Sequence, residues 1–199
     1  MTKFTQRLYM TMSEMIIWFT QHYSHMKVEM QQCFHSSSVD ESNPYHIEDD
    51  CWSHTMMVCK MAQINTDDKA LMAAALLHDI GKPLSRRVSP TNNHVQFFGH
   101  EEESAKMAEP ILTKMAEEGI LNMVEAKEAL ELVALHGFFY RCKEVDEAYR
   151  MFAERKEFFL KLSLLVECDH LGRFCLEHID GKFASIKEMM QALSQRLHV

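Results

Sequence analysis

Residues 74–83 read AALLHDIGKP, and no other stretch constrains the chain as strongly. From Ala70 to Leu77 every side chain is apolar, and the run ends directly in the His78-Asp79 doublet. A helix that is apolar on every face has to be buried. An imidazole and a carboxylate at its end are costly to bury unless something pairs with them. Gly81 and Pro83 read as the residues that stop the helix, with Lys82 between them. The stretch therefore predicts a buried helix that fixes two adjacent polar side chains, the candidate functional centre.

Around it the apolar pattern is helical almost throughout. Six glycines and four prolines in 199 residues leave room for long helices, and 47% hydrophobic residues can fill a sizeable core. Leu8, Met12, Met15, Ile16 and Phe19 recur at three- and four-residue steps and predict a helix over 6–30. Residues 33–46 are polar, broken by Pro44, and read as a loop. A helix is expected from near Glu48 to about Ile64. The next has Thr66 as its cap and Asp67 and Asp68 in its first turn, and it ends at the doublet. Residues 83–96 form a second loop, with Pro83, Pro90 and the Asn92-Asn93 pair as breakers. A helix from Gly99 or His100 to Gly119 carries Pro110, which predicts a kink or a split. Residues 122–136 form another, 144–170 one or two more, and 182–196 the last. There are no alternating β-branched runs and no internal repeats. The expected class is all-α, a compact bundle of about seven or eight helices in one domain.

The net charge of -8 argues against broad DNA or RNA binding, which needs a basic footprint. A local basic pocket stays compatible with it, and a metal ion would offset repulsion of an anionic ligand. Cys33, Cys51, Cys59, Cys142, Cys168 and Cys175 form no C-x-x-C pair and read as reduced, buried small hydrophobes. The N-terminus is amphipathic and unlike a signal peptide, and no stretch is long and apolar enough to span a membrane. A cytoplasmic protein is the expectation.

Six ionisable residues lie in apolar sequence or at helix ends: His54, His78, Asp79, His100, His136 and Asp169. Counting the His78-Asp79 doublet as one, they fall on different helices. Imidazole together with carboxylate is a donor set for divalent transition metals, and bundles build metal sites from one inward ligand per helix. Taken singly, each histidine could instead be a satisfied core residue. Taken together they point to a metal centre.

His54, the His78-Asp79 doublet and Asp169 match the H…HD…D signature of the HD-domain superfamily of metal-dependent phosphohydrolases. YHIEDDCWSHTMMV, AALLHDIGKP, FFGHEEESAKMAEPIL and CDHLGR resemble, in order, segments of the HD domains attached to tRNA nucleotidyltransferases. The resemblance covers roughly 44–175. Residues 1–40 read as an N-terminal helical extension and 180–199 as a C-terminal helix, making a stand-alone HD domain.

The resemblance implies that His54, His78, Asp79 and Asp169 hold one divalent ion. His100 and His136 hold a second with Asp79 bridging, and two ions are favoured over one. Mn2+, Mg2+, Fe2+, Ni2+ and Co2+ all suit such ligands. It implies catalytic roles for Asp79, Lys82 and Arg173, and substrate contacts from Lys82, Arg173 and Glu48. Glu48, Asp49 and Glu101 are also candidates to orient ligands. Arg86 and Arg87 are placed to reach the pocket mouth, and His46 and His94 sit on loops that could border it. Trp52, Phe97 and Phe98 read as packing residues. The implied reaction is hydrolysis of a phosphomonoester or cyclic phosphodiester, most plausibly on a nucleotide or an RNA end. The rivals are a di-iron oxygenase and a non-catalytic nucleotide-binding regulatory module. Nothing in the sequence fixes the oligomeric state.

Overall fold

The computed structural model describes residues 11–36, 46–174 and 181–199. Leu8, Pro44 and Cys175, named above, lie outside the described residues.

The class is all-α, as expected. Among the described residues the elements are α1 (Met12–His22), α2 (Ser24–Gln32), α3 (Cys51–Asn65), α4 (Lys69–Leu77), α5 (Lys82–Ser85), β1 (Arg87–Val88), β2 (Val95–Gln96), α6 (His100–Glu117), α7 (Met123–Leu135), α8 (Phe138–Arg141), α9 (Val145–Phe152), α10 (Lys156–Leu171) and α11 (Gly181–Leu197). Two of the eleven helical segments are only four residues long, and the nine longer ones exceed seven or eight because the helix expected over 6–30 is two.

α4 sits at the centre. Its residues from Ala70 to Leu77 are all buried. α3, α6, α7, α10 and α1 pack around it. Burial of this many apolar side chains is the main stabilising contribution, about 1.5–3 kcal/mol for each large one.

Local chemistry departs from the sequence expectations at several points. The helix expected over 6–30 is two helices that meet at Tyr23, the C-cap of α1 and N-cap of α2. α3 begins three residues later than Glu48, because Asp49 adopts a left-handed conformation (φ 80°) and Asp50 caps the helix through Trp52 N and Ser53 N. Asp68 rather than Thr66 caps α4, accepting from Leu71 N. Thr66 instead accepts from Asp68 N, which fixes the turn before the cap. Pro110 does not split α6, which runs unbroken for 18 residues and buries Ala108, Ile111, Leu112 and Met115 on both sides of it. That packing outweighs the lost backbone hydrogen bond.

Pro83 opens the short α5 rather than closing α4. The glycine requirement at 81 comes from close approach, since a Cβ there would stand 2.4 Å from Ser104 N in α6. The loop after α5 holds an antiparallel pair, β1 with β2, joining Arg87 to Gln96 and Val88 to Val95. Two-residue strands carry too little sequence to show a period. Residues 144–170 resolve into two helices, α9 and α10. Cys33, Cys51, Cys59, Cys142 and Cys168 are free and buried. No helix of the described residues is long and apolar enough to cross a membrane.

Candidate metal centre

The fold brings six side chains from distant segments to one point. His54 comes from the first turn of α3, His78 and Asp79 from the turn after α4, and His100 from the first residue of α6. His136 follows α7, and Asp169 lies near the end of α10. α10 meets α3 tightly because Gly172 lies against Val58, where a Cβ would stand 2.6 Å from the Val58 backbone nitrogen. His54 and Asp169 are thereby joined across 115 residues, with Nε2 2.9 Å from Oδ1.

Asp79 is the centre, and its two oxygens face different groups. Oδ2 lies 3.2 Å from His78 Nε2 and 3.5 Å from His54 Nε2. Oδ1 lies 3.3 Å from His100 Nε2 and 3.8 Å from His136 Nε2. Asp169 Oδ1 joins the first group, 3.8 Å from His78 Nε2.

The outer ring nitrogens explain why the inner ones are free to act. The Nδ1 atoms of His78, His100 and His136 donate to the carbonyls of Ala75 (2.9 Å), Phe97 (2.7 Å) and Val133 (2.7 Å). That assigns the proton to Nδ1 and leaves a lone pair on each Nε2. His54 turns Nδ1 to Glu48 Oε1 at 3.0 Å. Its Nε2 points inward like the others.

Two observations test whether this arrangement fits a cation. Among the described residues, the buried His78 Nε2 has no hydrogen-bond partner. His100 Nε2 and His136 Nε2 stand 3.1 Å apart. With both protons on Nδ1, two lone pairs face each other at that distance, and a cation between them removes the repulsion. The donor set of four imidazole nitrogens and two carboxylates suits a divalent transition ion. Within it, His54, His78 and Asp79 form one ion-sized group, and Asp79, His100 and His136 another.

Burial alone would neutralise the carboxylates. It raises the Asp79 pKa, but the neighbouring His78 and Lys82 outweigh it and hold Asp79 well below the usual range. Burial likewise acts on Asp169, and the hydrogen bond from His54 holds it down. His54 is the counterpart. Burial lowers its pKa, yet hydrogen bonds to Asp169 and Glu48 carry it up to about 9. Burial first, then the neighbouring His100 and His78, lower His136 to about 4.

A cavity of about 550 Å³ opens over this floor, and Asp79, Asp169, His100 and His136 line it together with Lys82 and Arg173. Lys82 Nζ is 2.6 Å from Asp79 Oδ2. Burial disfavours its charge, but the Asp79 carboxylate more than offsets this and raises the pKa. Arg173 donates from Nη2 to His170 Nδ1 at 2.7 Å, and its buried Nε has no hydrogen-bond partner among the described residues.

Glu48, expected at the substrate, does not line the cavity. Its side chain is 2% exposed and contacts His46 (2.6 Å) and His54. It also accepts from Phe174 N at 3.1 Å. Arg86 turns away to the carbonyls of Phe34 and Ser36, and neither it nor Arg87 lines the cavity. Nor does His94, whereas His46 does. Trp52 packs against Phe19 with ring centroids 6.1 Å apart. Phe98 is not a packing residue: it is 76% exposed on the cavity rim.

The sequence reading passed over Tyr140 and Arg141, which line the cavity, and Arg141 pairs with Glu101. It also passed over His35, whose Nε2 accepts from Lys82 Nζ at 3.4 Å. The residues around His35, Cys33, Phe34 and Ser36, carry no periodic or motif signal that could have found it.

Comparison with known proteins agrees with this geometry. The chain is 32% identical over 146 residues to a multifunctional CCA protein of Herminiimonas arsenicoxydans, an alignment covering 68% of this chain and 32% of that protein. It is 31% identical over 147 residues to the multifunctional CCA protein of Paracidovorax citrulli (70% and 33%). It is 36% identical over 92 residues to a CC-adding tRNA nucleotidyltransferase of Thermus thermophilus (41% and 21%). The chain thus spans about a third of the length of the first two. The HD domain profile matches residues 51–172, which contain all six converging residues, and the chain belongs to the HD-domain family.

Proposed function

We propose that the chain is a metal-dependent phosphohydrolase that cleaves a phosphomonoester or cyclic phosphodiester of a nucleotide or an RNA end. One observation carries the reading: Asp79 divides its two oxygens between two histidine pairs on the floor of a cavity that also holds Lys82 and Arg173. The substrate class draws on relatives whose names describe CCA proteins and a tRNA nucleotidyltransferase.

In this reading His54, His78, Asp79 and Asp169 hold one divalent ion, and His100, His136 and Asp79 a second. Bound ions supply Lewis acidity, which neutralises phosphate charge and lowers the pKa of water from about 15.7 towards 7. The chain's own groups do the rest. Asp79 fixes the relative placement of the two ligand groups. The Glu48 carboxylate faces His54 Nδ1 at 3.0 Å and favours that orientation of the ring, so its role is to position a ligand rather than to touch substrate. Lys82 and Arg173 stabilise the charge that grows on the phosphate oxygens, Lys82 as a point charge and Arg173 as a planar fork.

The test is a screen of nucleoside monophosphates and 2′,3′-cyclic phosphates with added Mn2+, under air and under anaerobic conditions, beside elemental analysis of the purified protein. Hydrolysis that persists without oxygen and disappears in Asp79→Ala supports the reading. Activity that survives Asp79→Ala would sink it, and iron-dependent oxygen uptake would replace it with the oxygenase alternative.

A further inference from the structure

The ligand geometry leaves Lys82 in an unexpected place. Asp79 Oδ2 is the atom on which His54 Nε2 and His78 Nε2 converge, at 3.5 and 3.2 Å. Lys82 Nζ is closer to that oxygen than either, at 2.6 Å. An ammonium and a divalent cation repel, and the repulsion is strong where water is excluded. The two therefore compete for one buried carboxylate oxygen.

Lys82 has somewhere else to go. Its side chain is buried, and its start is fixed because Lys82 N donates to Asp79 O at 3.0 Å. Its Nζ already donates to His35 Nε2 at 3.4 Å and lies 5.4 Å from the centre of the Phe97 ring. His35 is a fixed acceptor. Its ring stacks on His46 with centroids 4.2 Å apart, meets Phe97 edge-on at 5.7 Å, and takes Cys51 Sγ on the same nitrogen at 3.5 Å. Lys82 and His46 both line the cavity, so an ammonium released from Asp79 and retained by His35 still borders the space a substrate would fill.

We propose that Lys82 stands in for the first divalent ion on Asp79 Oδ2, and that ion binding releases it to His35, which positions its ammonium for the substrate phosphate. His35 is then a positioning residue, acting through Lys82. This rests on the metal-dependent reading above and adds to it a coupling between ion binding and the phosphate-binding group.

The experiment is a double-mutant cycle read by isothermal titration with Mn2+ at fixed pH, using wild type, Lys82→Met, His35→Leu and the double variant, with circular dichroism as the check on folding. Lys82→Met should tighten the higher-affinity site by about tenfold, since the competitor is gone. His35→Leu should weaken it several-fold in the wild-type background. In the Lys82→Met background the same change should have no effect, because no ammonium remains to be moved. Arg173→Met, which removes a cation that does not touch Asp79, should shift affinity far less than Lys82→Met. If His35→Leu does not fold, the Lys82→Met and Arg173→Met pair decides alone: equal shifts mean that only overall charge matters, and the proposal falls. Additive effects in the cycle, or wild-type affinity in Lys82→Met, also overturn it. If wild type binds two Mn2+ and either of these results appears, only this inference fails. If no variant binds Mn2+, the metal-dependent reading fails with it.

Discussion

On the Oδ2 side of Asp79 stand two imidazoles at most 1% exposed, a second carboxylate from Asp169 and the ammonium of Lys82. On the Oδ1 side stand His100 and His136, whose inner nitrogens meet no second carboxylate among the described residues, Glu101 lying instead 3.5 Å from the outer His100 Nδ1, and the His100 side chain is 18% exposed at the cavity. The two sides share one carboxylate and differ in everything else. Charge count and burial set cation affinity, so under the proposed two-ion reading the Oδ2 side is expected to hold its ion tightly and the Oδ1 side to exchange its ion with solvent.

Breaking the shared element should have the largest effect. Asp79→Ala removes a ligand from both sides, so both ions should be lost by elemental analysis together with all hydrolytic activity. Breaking one side should separate them. His54→Ala should abolish the tight ion in a Mn2+ titration, whereas His100→Ala should leave it in place and remove only the weaker binding event. If the two substitutions give the same titration curve, the asymmetry does not exist.

A smaller change tests orientation alone. Glu48→Gln keeps the volume but removes the charge that faces His54 Nδ1. It should weaken the Oδ2-side ion by about 10–100-fold and leave the Oδ1 side unchanged. Proton linkage gives the mildest test. His54 has its pKa raised to about 9, so below that pH its Nε2 must lose a proton before it can bind an ion. Affinity on the Oδ2 side should therefore rise by about tenfold for each pH unit between roughly 6 and 8. His136, lowered to about 4, has no proton to lose in that window, and its side should respond far less. Titrations at three pH values would show whether the slopes differ.

Much of the fold was legible because its signals are local. The apolar run from Ala70 to Leu77 is a fully buried helix, and Gly119 ends α6 in the left-handed conformation (φ 73°) that favours glycine. The places where the reading failed are those where packing overrides local preference. Pro110 inside α6 and the glycine requirement at 81 both answer to contacts with other segments. The same holds at the centre. Histidines at helix ends flagged the right residue types, and the motif resemblance linked His54 to Asp169. Glu48, a short way before His54, was already a candidate to orient a ligand, and its carboxylate does face His54 Nδ1, but nothing local predicted that His35 would receive Lys82.

The sequence alone determined which segments are helical, which helix must be buried, and which donor atoms the interior would hold. These follow from hydrophobic period, caps and side-chain chemistry, all of which act within a few residues. Only the tertiary structure decided which oxygen of Asp79 faces which histidines, and that Lys82 sits on the oxygen that faces His54 and His78. Those are sub-ångström matters between groups as far apart in the chain as His54 and Asp169. They are settled by how whole helices pack, through contacts such as Gly172 on Val58 and Gly81 on Ser104, and no local pattern encodes them.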